Sequence, residues 1–338
     1  MPMSKAHRSG PRRTRFAVAA ALGAAIGTVL LSAGCAEKSD YPAKAVKVIV
    51  PFGPGGPSDV NARLIAEHAK AQFPKGIAIT NVPGGSATTG TYQGVSSEPD
   101  GYTWIYGGTS ELSSVLHTVE APYTMDSYRL VLKVGNMPTV LLVKKDPRWP
   151  TLAAFIDHAK ANPGAVKVGT PGDASFNRLM GEQLAAAAGI NLVMVPFNGN
   201  AAVVQGLLGG HIQAGLVNSP DARAHVKDGS EIAGLAVFSA KRVASIPTIP
   251  TTREQGVDLV GTISHYIAVP KQTPDAVVAA IEKRLKPVLA DPAYVKAAEA
   301  IAFEADVQDA AVARSELTRW YETAGTLYGK LGMLKKKQ

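Results

Sequence analysis

Along most of the chain, short continuous apolar runs alternate with segments whose apolar positions recur every three or four residues. Val46–Pro51 (VKVIVP) is such a run and predicts a buried strand. The segment from Asp59 to Phe73 follows at helical spacing, with Val60, Leu64 and Phe73 on one face and Ser58 or Asp59 as its N-cap. The pattern predicts further strands over Ile77–Val82, Tyr102–Tyr106, Val140–Lys144, Val166–Gly169, Leu192–Pro196, Ile212–Val217 and Ile232–Phe238. Between them it predicts a PGGS loop with a short helix, a Thr-capped helix over Thr151–Ala161 stopped by Asn162-Pro163-Gly164, and helices over Ser175–Ala188 and Ala201–Leu208. Residues 275–290 and 307–331 predict long amphipathic helices. Strands alternating with helices imply an α/β fold whose parallel sheets are covered on both faces. No fixed-period repeat is present.

Composition narrows the classes. At 338 residues the chain has room for about two domains. It is 46% hydrophobic and 18% charged, with a mean hydropathy of +0.05, which excludes a disordered chain. The single cysteine excludes an internal disulfide framework and a cysteine-based zinc cluster. The net charge of +8 is concentrated at the ends: Lys5, Arg8, Arg12, Arg13 and Arg15 precede any acid, and Lys335, Lys336 and Lys337 close the chain. The body is near neutral and only 6% aromatic, so neither a basic nor a base-stacking nucleic-acid surface is indicated.

The first 35 residues read as an address. A basic stretch over 1–15 leads into the apolar run FAVAAALGAAIGTVLL and then Ser32, Ala33, Gly34 and Cys35. Positive, apolar, then small is the order of a secretory signal, and the cysteine after the small residues resembles a bacterial lipobox. The expectation is therefore a signal peptide over 1–35, lipidation at Cys35, a polar tether over 36–43 and a body outside the cytoplasm, anchored to the membrane. The competing reading of residues 16–34 is an uncleaved spanning helix. Arg15 before Phe16 spoils the spacing of a twin-arginine signal, which favours Sec export.

Two places repeat one event. VKVIVPFGPGGPSDVNARL and VKVGTPGDASFNRLMGEQL each run a strand into a Gly-containing loop and a helix. Both put free backbone N–H groups and a helix N-terminus at the C-terminal edge of a sheet, where open α/β folds bind ligands and anions. Two such loops suggest a cleft clamped from both sides. The first is no P-loop, since no Lys follows, and Ser58 stands where G-x-G-x-x-G needs its third glycine. Donors without a lysine suit a carboxylate better than a polyphosphate. Asp59 and Asp173 read as caps or loop-orienting groups, and no D-x-D-x-D-G pattern supports a metal. Ser175 lacks a G-x-S-x-G context, and none of His117, His158, His211, His225 and His265 stands in a triad context, which argues against a nucleophilic enzyme. Asn198, Asn200 and Asn218 sit at strand ends as turn or cleft amides. Arg178, in the first turns of its helix, is expected to serve a local acid or an anionic ligand. Phe52 and Tyr266 are candidates for an apolar wall or for core.

Taken in order, a longer set of residues resembles one family. It comprises Tyr41-Pro42, Pro51-Phe52-x-Pro54-Gly55-Gly56-x-Ser58-Asp59 with Arg63, Asn81-x-Pro83-Gly84 with Gly90, and Pro99-Asp100-Gly101-Tyr102-Thr103. It continues with Gly169-Thr170-x-Gly172-x-x-Ser175, Val195-Pro196-Phe197-x-Gly199, Leu208-x-Gly210, Ala236 with Lys241-Arg242, Pro250-Thr251, Glu254-x-Gly256, and Pro270 with Thr273-Pro274. These resemble the solute receptors of tripartite tricarboxylate transporters, the Bug-type family, over residues 41–338. The resemblance implies a two-domain type II periplasmic-binding-protein (Venus flytrap) fold with two mainly parallel sheets flanked by helices. One domain would hold residues 41–140 plus 266–338 and the other 141–265. It implies a receptor, not an enzyme, that binds a small organic carboxylate between the domains and delivers it to the membrane permease subunits. Metal, cofactor and nucleic acid play no part, and the receptor is expected to be monomeric. A sensor of the same fold and an exported hydrolase are the alternatives. The implied ligand-contacting residues are Phe52, Gly55, Gly56, Ser58, Asp59, Thr109, Ser110, Thr170, Gly172, Ser175, Arg178, Asn198, Asn218 and Tyr266. The chain departs from the family pattern at Pro57, Arg178, Asn218, Ser264 and His265, where a small hydroxyl residue, His, Asp and (in the last segment) Trp are common.

Overall fold

The structure, a computed structural model, describes residues 41–335. Cys35, the signal segment, most of the expected tether, Lys336 and Lys337 lie outside the described residues. The first stretch runs β1 (Val46–Val50), α1 (Pro57–His68), β2 (Ile77–Asn81), α2 (Thr88–Val95), β3 (Thr103–Gly108), α3 (Thr109–Leu112) and β4 (Tyr128–Lys144). Next come α4 (Leu152–Ala161), β5 (Lys167–Thr170), α5 (Phe176–Ala188), β6 (Val193–Pro196), α6 (Asn200–Leu208), β7 (Ala214–Asn218), α7 (Ser219–His225) and β8 (Ile232–Val237). The last stretch is β9 (Thr262–Pro270), α8 (Asp275–Leu289), α9 (Pro292–Ala300), β10 (Glu304–Asp309) and α10 (Ala310–Lys330).

The strands are ordered β2-β1-β3-β9-β4-β7-β5-β6, with β8 and β10 also pairing β4. Parallel ladders lie toward both ends: β1 with β2 and β3, and β5 with β6 and β7. The middle is antiparallel, and every antiparallel pair uses β4 or β9. β4 has 17 residues and so reaches about 55 Å, well beyond one ordinary sheet. Its first part pairs β9 from Tyr128 to Pro138; from Thr139 to Val143 it pairs β7. One strand therefore serves both halves. The apolar-run pattern missed its first part because Arg129, Lys133, Gly135 and Asn136 interrupt it, although Lys133 is 5% exposed.

The helical predictions hold with three corrections, the first being that α1 ends at His68, short of the expected Phe73. Gly56, not Ser58 or Asp59, is the N-cap of α1, and Pro57 fills the first turn, where a missing N–H leaves no bond unmade. Residues 307–309 belong to β10, not to a helix, and α9 and β10 separate the two long C-terminal helices. Thr151 and Ser175 cap α4 and α5 as expected, their side chains accepting from Ala154 N and Arg178 N.

Two main cores follow. Val46, Val48, Val50, Phe73, Trp104, Ile267 and Val269 pack with Ile65 of α1, Ile281 and Leu285 of α8 and Tyr294 of α9. Leu141, Val143, Val168 and Leu216 pack with Phe155 of α4 and Phe176, Leu179 and Leu184 of α5. Helix α10 joins both halves. Ala313 and Leu317 pack on Ile105, Leu112 and Tyr128, while Trp320, Ala324 and Tyr328 pack into the α4–α5 core.

Candidate functional site

The register of the sheet locates a cleft. β3 ends at Gly108, opposite His265 of β9, and His265 in turn pairs with Gly135 of β4. β7 ends at Asn218, opposite Thr139 of β4. Gly135 and Thr139 are four residues apart, about 13 Å along one strand. The C-terminal ends of the two parallel sets thus point toward each other across the middle of β4. The loops after β1 and β3 stand on one rim; those after β5, β6 and β7 stand on the other. Every residue of the implied ligand-contacting set lies on these rims except Tyr266.

On the first rim, Asp59 organises the loop. It is 2% exposed and accepts hydrogen bonds from Gly55 N (2.9 Å), Arg63 Nε (3.0 Å) and Asn81 Nδ2 (2.9 Å). Asn81 Nδ2 also donates to Phe52 O. Burial alone would raise this carboxyl, but the hydrogen bonds from Arg63, Gly55 and Asn81 outweigh it and hold it below the usual carboxylate range. With its oxygens occupied, Asp59 shapes the rim and is no free base. The first-turn N–H groups of Ser58 and Asp59 have no intrahelical acceptor and point out of the helix. Phe52 is exposed beside them. Gly55, at φ +79°, would hold a Cβ in open space, so the loop turns bare backbone outward.

Beneath this loop lies His265, unassigned in the sequence reading. Its Nε2 is 3.2 Å from Ser58 Oγ, its ring stacks on Tyr106, and Phe303 closes the far side. Burial pushes the imidazole down to about 4, so it is neutral at physiological pH. Folded, it resists protonation; unfolded, it protonates near 6.5. Its contribution to stability is therefore complete above pH 6.5 and is lost as pH falls toward 4. Buried Glu304 and Asp221, raised to about 7 and about 6 by desolvation, act with the opposite sign. We predict that His265→Phe flattens the loss of urea stability between pH 7 and pH 5 relative to wild type. An unchanged pH dependence would show that the histidine titrates normally.

The remaining hydroxyls are mostly committed internally. Thr109 is buried, with Oγ1 accepting from Ser264 N (3.0 Å) and donating to Ser264 O (3.3 Å), so it ties β3 to β9. Gly108 N donates to the buried Glu111 carboxylate, and Ser110 remains partly exposed on the rim. On the second rim, Ser175 Oγ donates to Gly172 O (2.8 Å) and accepts from Arg178 N (3.2 Å); Thr170 Oγ1 donates to the same carbonyl. Arg178 pairs with Asp173 and, at 3.4 Å, with Glu182, so it serves local acids. Asn177 Nδ2 donates to Asn218 Oδ1 (3.0 Å), and Asn200 Nδ2 to Asp221 Oδ2 (2.8 Å). Asn198 is exposed on the adjoining turn. Tyr266 is wholly buried with Ile105, Leu112, Tyr128 and Leu317; it belongs to the core, not to a cleft wall.

The structure brings Ser58, Thr109, Ser264 and His265 together, and separately Gly172, Ser175 and Arg178, and Asn177 and Asn218. Among the described residues no hydrogen bond joins the Phe52–Asp59 loop to the Thr170–Arg178 segment. The two halves touch beside the first rim, where Ser219 Oγ donates to Ala302 O (2.8 Å). Among the described residues no group of three or more His, Cys, Asp or Glu is placed to hold a metal ion. The arrangement therefore offers two sets of unsaturated backbone donors facing each other, fitted to an anion.

A family model described as tripartite tricarboxylate transporter family receptor matches residues 61–322. The protein BugT of Bordetella pertussis is 29% identical over 281 residues, 81% of this chain and 86% of that one. The periplasmic binding protein BugD superposes with a TM-score of 0.74 at 26% identity, covering 88% of this chain and all of that one. An R. palustris protein solved with adipate superposes at 0.78 and 23% identity, covering 87% of this chain and 99% of that one.

Proposed function

Because the chain belongs to the tripartite tricarboxylate transporter receptor family, a family of solute receptors and not of enzymes, we propose that its facing rims close on one small organic carboxylate. The reading rests on one observation: two helix-opening loops without lysine stand on opposing sheet edges, each keeping free first-turn N–H groups. We assign contact to Phe52, Gly55, Gly56, Ser58 and Ser110 on one side. On the other we assign Thr170, Gly172, Ser175, Asn198 and Asn218. Asp59, Thr109 and Arg178 hold the loops in shape. Residues 41–140 with 266–338, and 141–265, form the two lobes, and closure presents the liganded receptor to the permease subunits. Cys35 carries a lipid that keeps the receptor at the outer side of a membrane. Loss of fatty-acid labelling in Cys35→Ser tests that anchor.

The test of the ligand class is a thermal-shift screen over mono-, di- and tricarboxylates, with adipate among them, against the matching amides. Ligand at 100 times its Kd stabilises by ~2.7 kcal/mol. At least one acid should raise the melting temperature, its amide should not, and a chelator should leave the shift intact. A panel in which no acid shifts the transition, or in which only amides do, overturns the reading.

A further inference from the structure

A second cavity lies away from the rims. It measures about 390 Å³ and is lined by Gln183, Gly261, Thr262, Glu316, Arg319 and Trp320, among others. A further cavity of about 430 Å³ shares Gln183 with it and extends along α10 to Lys330. The first lies on the opposite face of β9 from the first loop. Side chains alternate along a strand: His265 faces Ser58, whereas Ser264 donates from Oγ to Glu316 of α10. Gln183 is also two turns into α5, about 12 Å beyond the Ser175 cap. None of the loop residues assigned to the cleft lines either cavity.

Its polar groups are unevenly satisfied. The acceptors are occupied: Glu316 takes Lys133 Nζ at 2.9 Å as well as Ser264 Oγ. The hydroxyl of Thr262 donates to Asn136 Oδ1. The donors are not. Gln183 Nε2 is shielded from solvent and has no hydrogen-bond partner. Arg319, exposed to solvent, lies over the Trp320 ring and, among the described residues, has no carboxylate within ion-pairing distance. A buried amide donor without an acceptor costs about 1–3 kcal/mol, a cost that a bound acceptor recovers. Gly261 lines the cavity with backbone only, and the side a Cβ would occupy is filled by Met180. One buried unpaired amide donor, an exposed guanidinium without a carboxylate partner, an aromatic wall and a volume within the range of small-molecule pockets define the complement.

We propose that this cavity is a second binding site, separate from the cleft, for a small carboxylate with a planar apolar body, held by Arg319 and Gln183 against Trp320. The probe is benzoate, followed by the indole N–H signals of Trp104, Trp149 and Trp320 in a ¹⁵N-labelled protein, with Trp320→Phe assigning the third. Benzoate should move the Trp320 signal saturably and leave Trp104, buried in the other core, in place. Arg319→Gln and Gln183→Ala should each raise the benzoate Kd read at Trp320 by about tenfold or more, while Gly55→Ala, which alters only the cleft, should not. A Trp320 signal that does not move overturns the proposal. So does one that moves with equal affinity in both cavity variants, or one that Gly55→Ala abolishes, since the effect would then be relayed from the cleft. Failure here would leave the thermal-shift result for the cleft untouched.

Discussion

Replacing Asp59 with alanine is expected to cost about 3 kcal/mol of stability and at least tenfold in ligand affinity. The carboxylate accepts from Gly55 N, Arg63 Nε and Asn81 Nδ2, and a hydrogen bond to a charged group is worth ~1.5–3 kcal/mol. The three are not counted in full, because Arg63 is half exposed and its share is screened by solvent. Without Asp59, Gly55 N loses its acceptor, Asn81 Nδ2 keeps only Phe52 O, and the loop no longer holds its N–H groups in one direction. Asp59→Asn, which keeps a single acceptor oxygen, should recover part of both losses. The pH sign follows from the lowered carboxyl: its contribution is present above about pH 4 and disappears as pH falls through the folded value. Urea unfolding at pH 7 and calorimetric titration with an acid from the screen measure the two effects. Wild-type affinity in a fully folded Asp59→Ala protein would show that the loop is organised by something else.

How much of this was legible depended on what each segment has to satisfy. The strands β1, β5 and β7 are buried on both faces, so they read as apolar runs, and the loops after them carry the Gly and Ser that a strand-to-helix turn demands. Thr151 and Ser175 announced their caps for the same local reason. β9 and the first part of β4 were not legible. Lys133 is buried there against Asp306 and Glu316, and Ser264 and His265 against Glu316 and Ser58. Polar residues satisfied by partners 52 to 207 positions away look like surface when only neighbours are counted. The same blindness hid His265 as the support of Ser58. It also left Tyr266 open between wall and core, because both settings favour a large aromatic at the end of an apolar run.

The cleft is expected to depend on bare backbone at two glycines more than on any hydroxyl. Gly55 and Gly172 have φ of +79° and +125°. A Cβ at Gly55 would meet nothing within 4 Å, and at Gly172 only Ser175 Cβ at 3.9 Å. Alanine at either position therefore creates no clash. It forces the turn out of a conformation that costs an L-residue about 1–2 kcal/mol and puts a methyl where a ligand would approach the N–H groups. Each of Gly55→Ala and Gly172→Ala should fold, lose about 1–2 kcal/mol of stability and weaken ligand binding by tenfold or more. Ser175→Ala should cost about 1 kcal/mol as a lost cap, with a smaller effect on affinity, because its hydroxyl is already spent on Gly172 O and Arg178 N. Gly90 is the contrast. A Cβ there would lie 2.5 Å from Val82 O and 2.9 Å from Pro51 Cα, both backbone, so Gly90→Ala should destabilise the fold by about 1–3 kcal/mol. Small-angle scattering then separates binding from closure: saturating ligand should compact the wild type, and Gly172→Ala should stay extended at the same ligand concentration. If either rim glycine can be replaced without loss of affinity, that loop does not touch the ligand and the clamp has one jaw. If neither replacement matters, the facing edges of the sheet are not where the carboxylate binds.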